Sequence, residues 1–124
     1  MMKLIPLSTE LSVCKIQHPS AADWHGAFTA LVSAGQELSL VCESRAAPAD
    51  ALAVEPGWRA FRIAGSLDFS MVGVLADISG ALAAAGISIF AVSTYDTDYV
   101  LMKAANFSRG LAELQKKGYA VLAT

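Results

Sequence analysis

The chain has 124 residues, of which 55% are hydrophobic and 16% are charged, and its formal net charge is −2. This length suits one typical domain, and the composition lies far from that of disordered chains, so we expect a packed core. The small charge and the absence of a basic stripe argue against nucleic acid as a partner. No stretch approaches the roughly 20 apolar residues of a membrane span and no signal peptide is recognisable, so we expect a cytoplasmic protein without membrane contact.

The first half of the chain predicts two strands with a weak helix between them. Residues 11–17 partly alternate between apolar and polar side chains, as a half-buried strand does. Residues 37–43 form a second apolar run, bounded by charge at both ends. Between them, residues 23–32 give a weak helical pattern that ends at Gly35. Together these elements predict a short N-terminal lobe.

The segment over residues 44–57 predicts a connector. It contains two prolines and ends in Gly57, which is typical of chain that links two structured parts. We therefore expect an N-terminal lobe over residues 1–55 and a second domain over residues 56–124.

The second half predicts the element order β-α-β-β-α-β. The strands are expected at residues 58–64, 87–92, 98–103 and 119–122, and the helices at residues 71–85 and 106–117. The first helix has apolar residues spaced by 4, 3, 4 and 3, with Ser70 as its N-cap and Gly86 as its stop; Asn106 and Gly118 bound the second. Two helices on one face of an antiparallel sheet predict an α+β fold of the ferredoxin-like kind.

The cysteines and histidines give no catalytic or metal-binding set. Cys14 and Cys42 lie within apolar runs, where they are either small buried hydrophobic residues on neighbouring strands or a redox pair or metal site. His18 and His25 are not spaced with a nucleophile or an acid in any recognisable arrangement. We therefore expect no enzyme activity, no metal and no cofactor.

A first candidate ligand site is the loop that leads into the first helix. A helix N-terminus offers free backbone N–H groups and a partial positive charge, which favour an anion such as the carboxylate of a free amino acid. The alternative is an ordinary capped loop in which Ser70 bonds only to its own helix. The residues of this site are Leu67, Asp68, Phe69, Ser70, Met71, Val72 and Gly73.

A second polar cluster lies in the turn before the strand at residues 98–103. In the β-α-β-β-α-β order this turn returns beside the first loop, so that both clusters line one pocket. Its carboxylates suit an ammonium or guanidinium group, although Asp and Thr are also good turn formers, and a plain hairpin turn remains the alternative. The residues of this cluster are Ser93, Thr94, Tyr95, Asp96 and Asp98.

Residues 86–101, GISIFAVSTYDTDYVL, resemble the signature of a small bacterial ACT-domain family related to the ACT lobes of eukaryotic cytosolic arginine sensors. The resemblance implies a ferredoxin-like ACT domain preceded by a smaller ACT-like N-terminal lobe, with no catalysis. It also implies that residues 67–73 meet the α-carboxylate and amine of a ligand, while Thr94, Tyr95 and Asp98 line its side-chain end. Most metabolic ACT domains carry an Asp three residues before the helix-opening glycine, where this chain has Ser70.

These observations predict a non-catalytic regulatory or sensor protein that binds a small ligand, with an amino acid as the leading candidate. We also expect a homodimer, formed by continuing the sheet or by packing helix faces, because either arrangement covers exposed strand edges. The alternative is a protein-interaction or oligomerisation module without a ligand.

Overall fold

A computed structural model of the chain describes residues 2–64 and 73–122. The chain divides into two compact units: the C-terminal unit, made of Met1–Ser8 and Arg59–Thr124, and the N-terminal unit, made of Thr9–Trp58. Each unit is a group of residues that contact one another more than they contact the rest of the chain. The domain limits expected from the sequence, residues 1–55 and 56–124, stay a prediction.

The described ranges contain eight strands and two α-helices. In chain order they are β1 (Lys3–Pro6), β2 (Leu11–Ile16), β3 (Thr29–Ala34), β4 (Glu37–Glu43), β5 (Ala53–Ile63), α1 (Val74–Ala84), β6 (Phe90–Ser93), β7 (Asp98–Lys103), α2 (Ala104–Lys116) and β8 (Ala120–Val121). Single turns of 3₁₀-helix lie at Pro19–Ala21 and Ser44–Ala46. Neither α-helix in this part of the chain is long and apolar enough to cross a membrane.

The C-terminal unit has the predicted β-α-β-β-α-β order, with one additional strand. Its strands lie side by side as β8, β1, β5, β7 and β6. Without β1 this is the fourth, first, third and second strand of the motif, the strand order of the ferredoxin-like fold, so the predicted fold class is confirmed. The additional strand β1 pairs in parallel with β8 and antiparallel with β5.

The sequence analysis missed β1 because four residues ending in a proline carry no strand signal of their own. Pro6 lacks a backbone N–H and is tolerated only where the ladder needs no donor. Strand β1 is stabilised by the strands on both of its sides. Leu4 lies opposite Ile63 of β5 and Val121 of β8, and its side chain is fully buried.

The core of the C-terminal unit lies between its sheet and its two helices. Apolar residues recur at helical spacing in α1 and α2, and alternate residues of β5 (Phe61 and Ile63) and β7 (Val100 and Met102) belong to this core. The largest contributors are Leu4, Phe61, Ile63, Ile78, Leu82, Val100, Met102, Phe107 and Leu114. The guanidinium of Arg59 lies over the ring of Phe107, 4.6 Å from its centre, and its Nη2 donates to the Leu7 carbonyl at 2.8 Å.

Both helices end where the sequence predicted. After α1 the N–H of Gly86 donates to the Ala83 carbonyl and that of Ile87 to the Leu82 carbonyl, both at 2.9 Å. After α2 the N–H of Gly118 donates to the Gln115 carbonyl and that of Tyr119 to the Leu114 carbonyl. This pair of bonds is the Schellman arrangement, in which a glycine with positive φ turns the chain back and satisfies the last free carbonyls.

The helix starts differ from those predicted. Helix α1 begins at Val74 rather than Met71, because Gly73 has a φ of +87°, which no residue inside a right-handed helix adopts. The predicted N-cap, Ser70, lies outside the described residues. Helix α2 follows β7 directly, with Lys103 in the N-cap position, so Asn106 lies inside the helix and is not its cap.

The N-terminal unit repeats the strand order of the ferredoxin-like fold almost without helices. Its strands lie in the order β3, β4, β2 and the first half of β5. The helix predicted over residues 23–32 is wrong: Thr29–Ala34 is strand β3, which pairs with β4 in a continuous antiparallel register. Cross-strand pairing outweighs a weak helical pattern because each ladder position satisfies backbone groups and packs side chains together.

Strand β5 begins at Ala53, five residues before the predicted start, so part of the predicted connector is strand. Its first half pairs with β2, and the register shifts between Leu11 and Val13, opposite Pro56 and Gly57. A bulge is one of the few places where a strand accepts proline, so the two residues that suggested a connector mark an irregularity within a strand.

The N-terminal unit has a small core of its own. It consists of Cys14, Ile16, Leu40 and Cys42, covered by alanines from the segments that replace the two helices: Ala21, Ala22, Ala47 and Ala51. Strands β4 and β7, each the third strand of the ferredoxin-like motif in its unit, lead into the next element with nearly the same backbone angles: φ −58° and ψ 139° at Glu43, and φ −59° and ψ 140° at Lys103. The two units are therefore alike in topology and in this local geometry.

Candidate functional site

The predicted turn between β6 and β7 is a tight, internally bonded hairpin. The hydroxyl of Thr94 accepts from the Thr97 N–H at 3.2 Å and donates to the Thr97 carbonyl at 3.0 Å, and the Thr94 N–H donates to that carbonyl at 2.8 Å. Thr94 thereby satisfies the backbone of its own turn, as short hydroxyl side chains commonly do. Its hydroxyl is engaged in the turn.

The hairpin lies against the end of β5. Thr97 is only 6% exposed, and its hydroxyl donates to the Ile63 carbonyl at 2.8 Å. Ile63 is the last residue of β5 and comes two positions before the segment 65–72 that contains the first predicted cluster. The structure thus brings the hairpin to the point where the chain leaves β5.

Among the described residues, no side chain caps the start of helix α1. Gly73, which has no side chain, occupies the N-cap position, and the Asp77 N–H donates to the Gly73 carbonyl at 2.8 Å. The first N–H groups of a helix have no partner within the helix, so a start without a capping side chain leaves them to other acceptors. Of the first predicted cluster, only Gly73 is described; Leu67, Asp68, Phe69, Ser70, Met71 and Val72 lie outside the described residues.

The other residues of the second predicted cluster face solvent to different degrees. The Tyr95 side chain is 81% exposed, Ser93 and Asp96 are also exposed, and Asp98 is half-buried at the start of β7. The hairpin therefore presents the Tyr95 ring and the Asp96 carboxylate at its tip, while Asp98 lies at its base, paired with Ser93.

Asp77 and Tyr119 form a polar pair near the start of α1 that the sequence analysis missed. The Tyr119 hydroxyl donates to Asp77 Oδ2, and burial together with this carboxylate raises the pKa of Tyr119 to about 12. A depression of about 210 Å³ beside them is lined by Met2, Asp77, Lys117, Gly118 and Tyr119. An acidic residue in a first helical turn is a visible sequence signal, but its partner lies 42 positions along the chain.

The outer face of α1 borders a shallow groove. Its volume is about 690 Å³, and small side chains of the helix line it together with the segment that leads to β6. The lining residues are Ala76, Ser79, Gly80, Ala83, Gly86, Ile87, Ser88 and Ile89. No charged side chain lines this groove among the described residues.

A charged pocket of about 380 Å³ lies in the N-terminal unit. Asp23 Oδ1 accepts from the backbone N–H of His25 at 3.0 Å and lies 2.9 Å from its Nδ1, and Arg45 Nη2 donates to Glu43 Oε2 at 3.2 Å. Burial acts to raise the pKa of Glu43, but the Arg45 guanidinium and the hydroxyl of Thr9 hold it below its ordinary value. The described lining contains no serine, threonine or cysteine.

The two cysteines are parts of the N-terminal core. Cys14 and Cys42 are 2% and 1% exposed and are not joined by a disulfide. Burial, followed by the neighbouring Cys14, raises the pKa of Cys42 to about 12, and burial raises that of Cys14. Because the thiolate is the reactive and metal-binding form, these values favour the structural interpretation. Residues 2–64 and 73–122 contain no group of three side chains suited to a metal ion.

The described architecture is that of a ferredoxin-like α+β protein, in which a complete β-α-β-β-α-β unit follows a second unit of the same strand order. The chain belongs to the ACT domain family, whose model matches residues 53–116. The matched segment covers β5 to α2 and therefore includes the hairpin and the start of α1.

Solved structures share the fold of this chain. A protein from Agobacterium tumefaciens is 30% identical over 98% of this chain and 92% of its own, with a TM-score of 0.87. A Vibrio cholerae protein of unknown function, described as a possible transport protein, is 18% identical over 93% of this chain and 88% of its own, with a TM-score of 0.74.

A more distant likeness is to the ligand-free regulatory subunit of aspartate kinase from Thermus thermophilus. The identity is 13% over 94% of this chain and 96% of that one, and the TM-score is 0.65. At this identity the likeness shows the fold alone. No match was found among curated proteins.

Proposed function

We propose that the protein is a non-catalytic regulatory module that binds a small ligand, with an amino acid as the leading candidate. The observation that carries the proposal is the buried bond from the Thr97 hydroxyl to the Ile63 carbonyl at 2.8 Å. It supports the expected proximity of the hairpin and the chain that leads into residues 67–73. Membership of the ACT family and the fold shared with a regulatory subunit of aspartate kinase support a regulatory role.

The chemistry proposed for the site has two ends. The start of α1, where Gly73 at the N-cap has no side chain to bond to the first N–H groups, suits the α-carboxylate of a ligand. The carboxylates of Asp96 and Asp98 suit an ammonium or guanidinium group, and Tyr95 offers an exposed ring face to a cation. This polarity favours a basic amino acid, in keeping with the proposed relation to the ACT lobes of arginine sensors.

Thermal unfolding in the presence of each of the twenty amino acids tests the proposal. A ligand at 100 times its Kd adds about 2.7 kcal/mol to the free energy of unfolding, which raises Tm by several degrees. We expect the largest rise with arginine or lysine. The absence of a rise with any amino acid at 10 mM would contradict an amino-acid site with a Kd below about 1 mM.

A pair of variants tests whether the ligand binds at the hairpin. Asp98→Ala removes one proposed carboxylate, and Asp50→Ala removes an exposed carboxylate of the N-terminal unit that has no proposed role. We expect Asp98→Ala to lose the rise in Tm caused by a basic amino acid and Asp50→Ala to keep it. An equal rise in both variants would remove Asp98 from the site.

The alternative function is a ligand-free protein-interaction module. Two observations favour it: the Thr94 hydroxyl is engaged within its own turn, and the Tyr95 ring projects from the surface with 81% exposure. Exposed aromatic side chains are typical anchors of protein interfaces. Under this alternative no amino acid changes Tm, while Tyr95→Ala abolishes association with the partner.

A further inference from the structure

The segment 23–28, which precedes β3, is fixed against the end of β4 within the N-terminal unit. The Thr29 hydroxyl donates to the Asp23 carbonyl at 2.8 Å and so closes the segment at its base. The Ala27 N–H donates to the Glu43 carboxylate, and a Cβ at Gly26 would lie only 2.5 Å from Glu43 Oε2. A side chain larger than that of glycine would therefore displace the segment from this carboxylate.

Glu43 in turn fixes a guanidinium beside the charged pocket of the N-terminal unit. Arg45 Nη2 donates to Glu43 Oε2 at 3.2 Å, and the Glu43 side chain is 8% exposed whereas that of Arg45 is 81% exposed. The hydroxyl of Thr9 and the Ala27 N–H also bond to the Glu43 carboxylate. Protein groups thus satisfy this carboxylate, and we infer that it positions Arg45 rather than binding a ligand itself.

Arg45 and Asp23, which both line the pocket, have hydrogen-bonding groups that no described residue uses. Within residues 2–64 and 73–122, Arg45 donates only from Nη2, which leaves the N–H groups of its Nε and Nη1. Asp23 binds His25 through Oδ1, which leaves Oδ2. The backbone N–H and ring of His25, and to a smaller extent the charge of Arg45, hold the pKa of Asp23 below its ordinary value, so this carboxylate is ionised at neutral pH.

The two opposite charges disfavour ligands that carry only one charge. An anion at Arg45 also meets the carboxylates of Asp23 and Glu43, and a cation at Asp23 also meets the guanidinium of Arg45. A molecule that carries both a carboxylate and an ammonium group avoids both repulsions. The pocket volume of about 380 Å³ lies at the lower end of the range for small-ligand sites, so a small molecule fits it best.

We propose that this pocket is a ligand site in its own right, which binds a small zwitterion through Arg45 at its carboxylate and through Asp23 at its ammonium group. The planar guanidinium can bind a carboxylate with two parallel hydrogen bonds. The pocket lies where β4 ends, whereas the hairpin between β6 and β7 corresponds to the β3–β4 turn, at the other end of that strand. The inference therefore concerns a different place in the ferredoxin-like motif, and it does not depend on the function proposed above.

Backbone amide NMR spectra recorded during titration with glycine, β-alanine or 4-aminobutyrate test the proposal, because these zwitterions differ in the distance between their charges. We expect at least one of them to shift the amide signals of His25, Gly26 and Ala46 with a curve that saturates below about 50 mM. Acetate and methylamine, which each carry one of the two charges, are expected to bind at least about tenfold more weakly. The proposal is overturned if no zwitterion gives a saturating shift at these amides, or if acetate or methylamine alone binds as tightly.

Substitution of the two recognition residues tests their roles. Asp23→Asn keeps the acceptor for the His25 N–H but removes the charge, and Asp50→Asn is the matched control at an exposed carboxylate of the same unit. We expect Asp23→Asn to raise the Kd of the zwitterion at least about tenfold and Asp50→Asn to leave it unchanged. Arg45→Lys, which keeps a charge beside Glu43 but loses the planar fork, is also expected to weaken binding.

An unchanged Kd in Asp23→Asn would contradict the proposed role of this carboxylate and with it the site. The same spectra distinguish this proposal from the hairpin site. Shifts confined to residues 93–98 during a titration with arginine, without any response at His25 or Gly26, would overturn the zwitterion pocket and leave the proposed function in place. Shifts confined to the pocket amides would do the reverse.

Discussion

The Thr97 hydroxyl donates to the Ile63 carbonyl at 2.8 Å, and this buried bond joins the hairpin before β7 to the last residue of β5. The two residues are 34 positions apart, and between them lie the segment 65–72, helix α1 and strand β6. The bond holds the end of β5 beside the hairpin. We therefore expect its removal to lower stability and to weaken binding at the site proposed above.

We expect Thr97→Val to lower the free energy of unfolding by about 1–3 kcal/mol, because a buried carbonyl loses this partner while the side-chain volume is nearly unchanged. Thr97→Ser keeps the hydroxyl and is expected to cost less. Urea denaturation of both variants measures the difference. Equal losses in the two variants would mean that the methyl group, and not the hydroxyl, carries the contribution of Thr97.

Gly110 packs so closely on the sheet that a larger side chain does not fit. A Cβ at this position would lie 2.9 Å from Met102 Cε and 3.3 Å from Leu82 Cδ2, with Met102 Sδ closer still, and both side chains are fully buried. Gly110→Ala is expected to destabilise the protein by up to about 2 kcal/mol, because overpacking costs about 1–3 kcal/mol and the gain in helix propensity returns about 1 kcal/mol.

Gly80→Ala is the matched control for that substitution. Gly80 lies inside α1, and a Cβ there meets nothing within 4 Å. We expect Gly80→Ala to stabilise the protein by about 0.5–1 kcal/mol through helix propensity alone. Chemical denaturation of both variants provides the measurement, and shifts of the same sign would show that Gly110 is not held by a close contact.

Tyr119 makes stability depend on alkaline pH. Its pKa is raised from 10.0 to about 12 by burial and by Asp77. A group whose pKa is higher in the folded protein contributes stability in full below its unfolded pKa and loses it as the pH rises through the folded value. The difference in unfolding free energy between the unmodified chain and Tyr119→Phe is therefore expected to be constant below about pH 9 and to shrink above pH 10.

Tyr95→Phe controls for the general effect of alkaline pH, because this ring is 81% exposed. Its difference from the unmodified chain is expected to be smaller and to change less between pH 9 and pH 11. A constant difference for Tyr119→Phe over the same range would show that the bond to Asp77 does not shift the pKa of Tyr119 in solution.

The structural interpretation of the two cysteines predicts slow thiol chemistry. Cys14 and Cys42 are nearly inaccessible, and their raised pKa values keep the reactive thiolate scarce. Labelling with a thiol-specific disulfide reagent at pH 8 is expected to be at least about 100-fold slower in the native protein than in urea. Rapid labelling of the native protein would instead favour the redox interpretation that the sequence left open.

Local patterns were sufficient for some elements. Strands Glu37–Glu43 and Asp98–Lys103 have the predicted bounds, because short apolar runs between charged or turn-forming residues mark them. Gly86 and Gly118 end both helices as expected, since the Schellman arrangement depends on residues only a few positions apart. For the candidate site, the sequence indicated the hairpin, and its members Thr94 and Thr97 form the bonds that close the turn.

The sequence predictions were wrong where the secondary structure of a segment depends on pairing with a strand that is distant in the chain. The helix predicted over residues 23–32 is in part strand β3, because pairing with β4 prevails over a weak periodicity. Residues 53–57 were expected to be a connector, but pairing with β2 makes them strand despite Pro56. Neither outcome is visible without knowing which strand lies alongside.

The sequence by itself determined the α+β class, the order of elements from β5 to β8 and the helix stops, because each depends on neighbours within a few residues. Only the tertiary structure decided that β1 enters the C-terminal unit between β5 and β8, and that Thr97 bonds to Ile63 and Tyr119 to Asp77. These relationships join residues that lie far apart in the chain. Their free energies arise from burial and pairing between surfaces that no local pattern encodes.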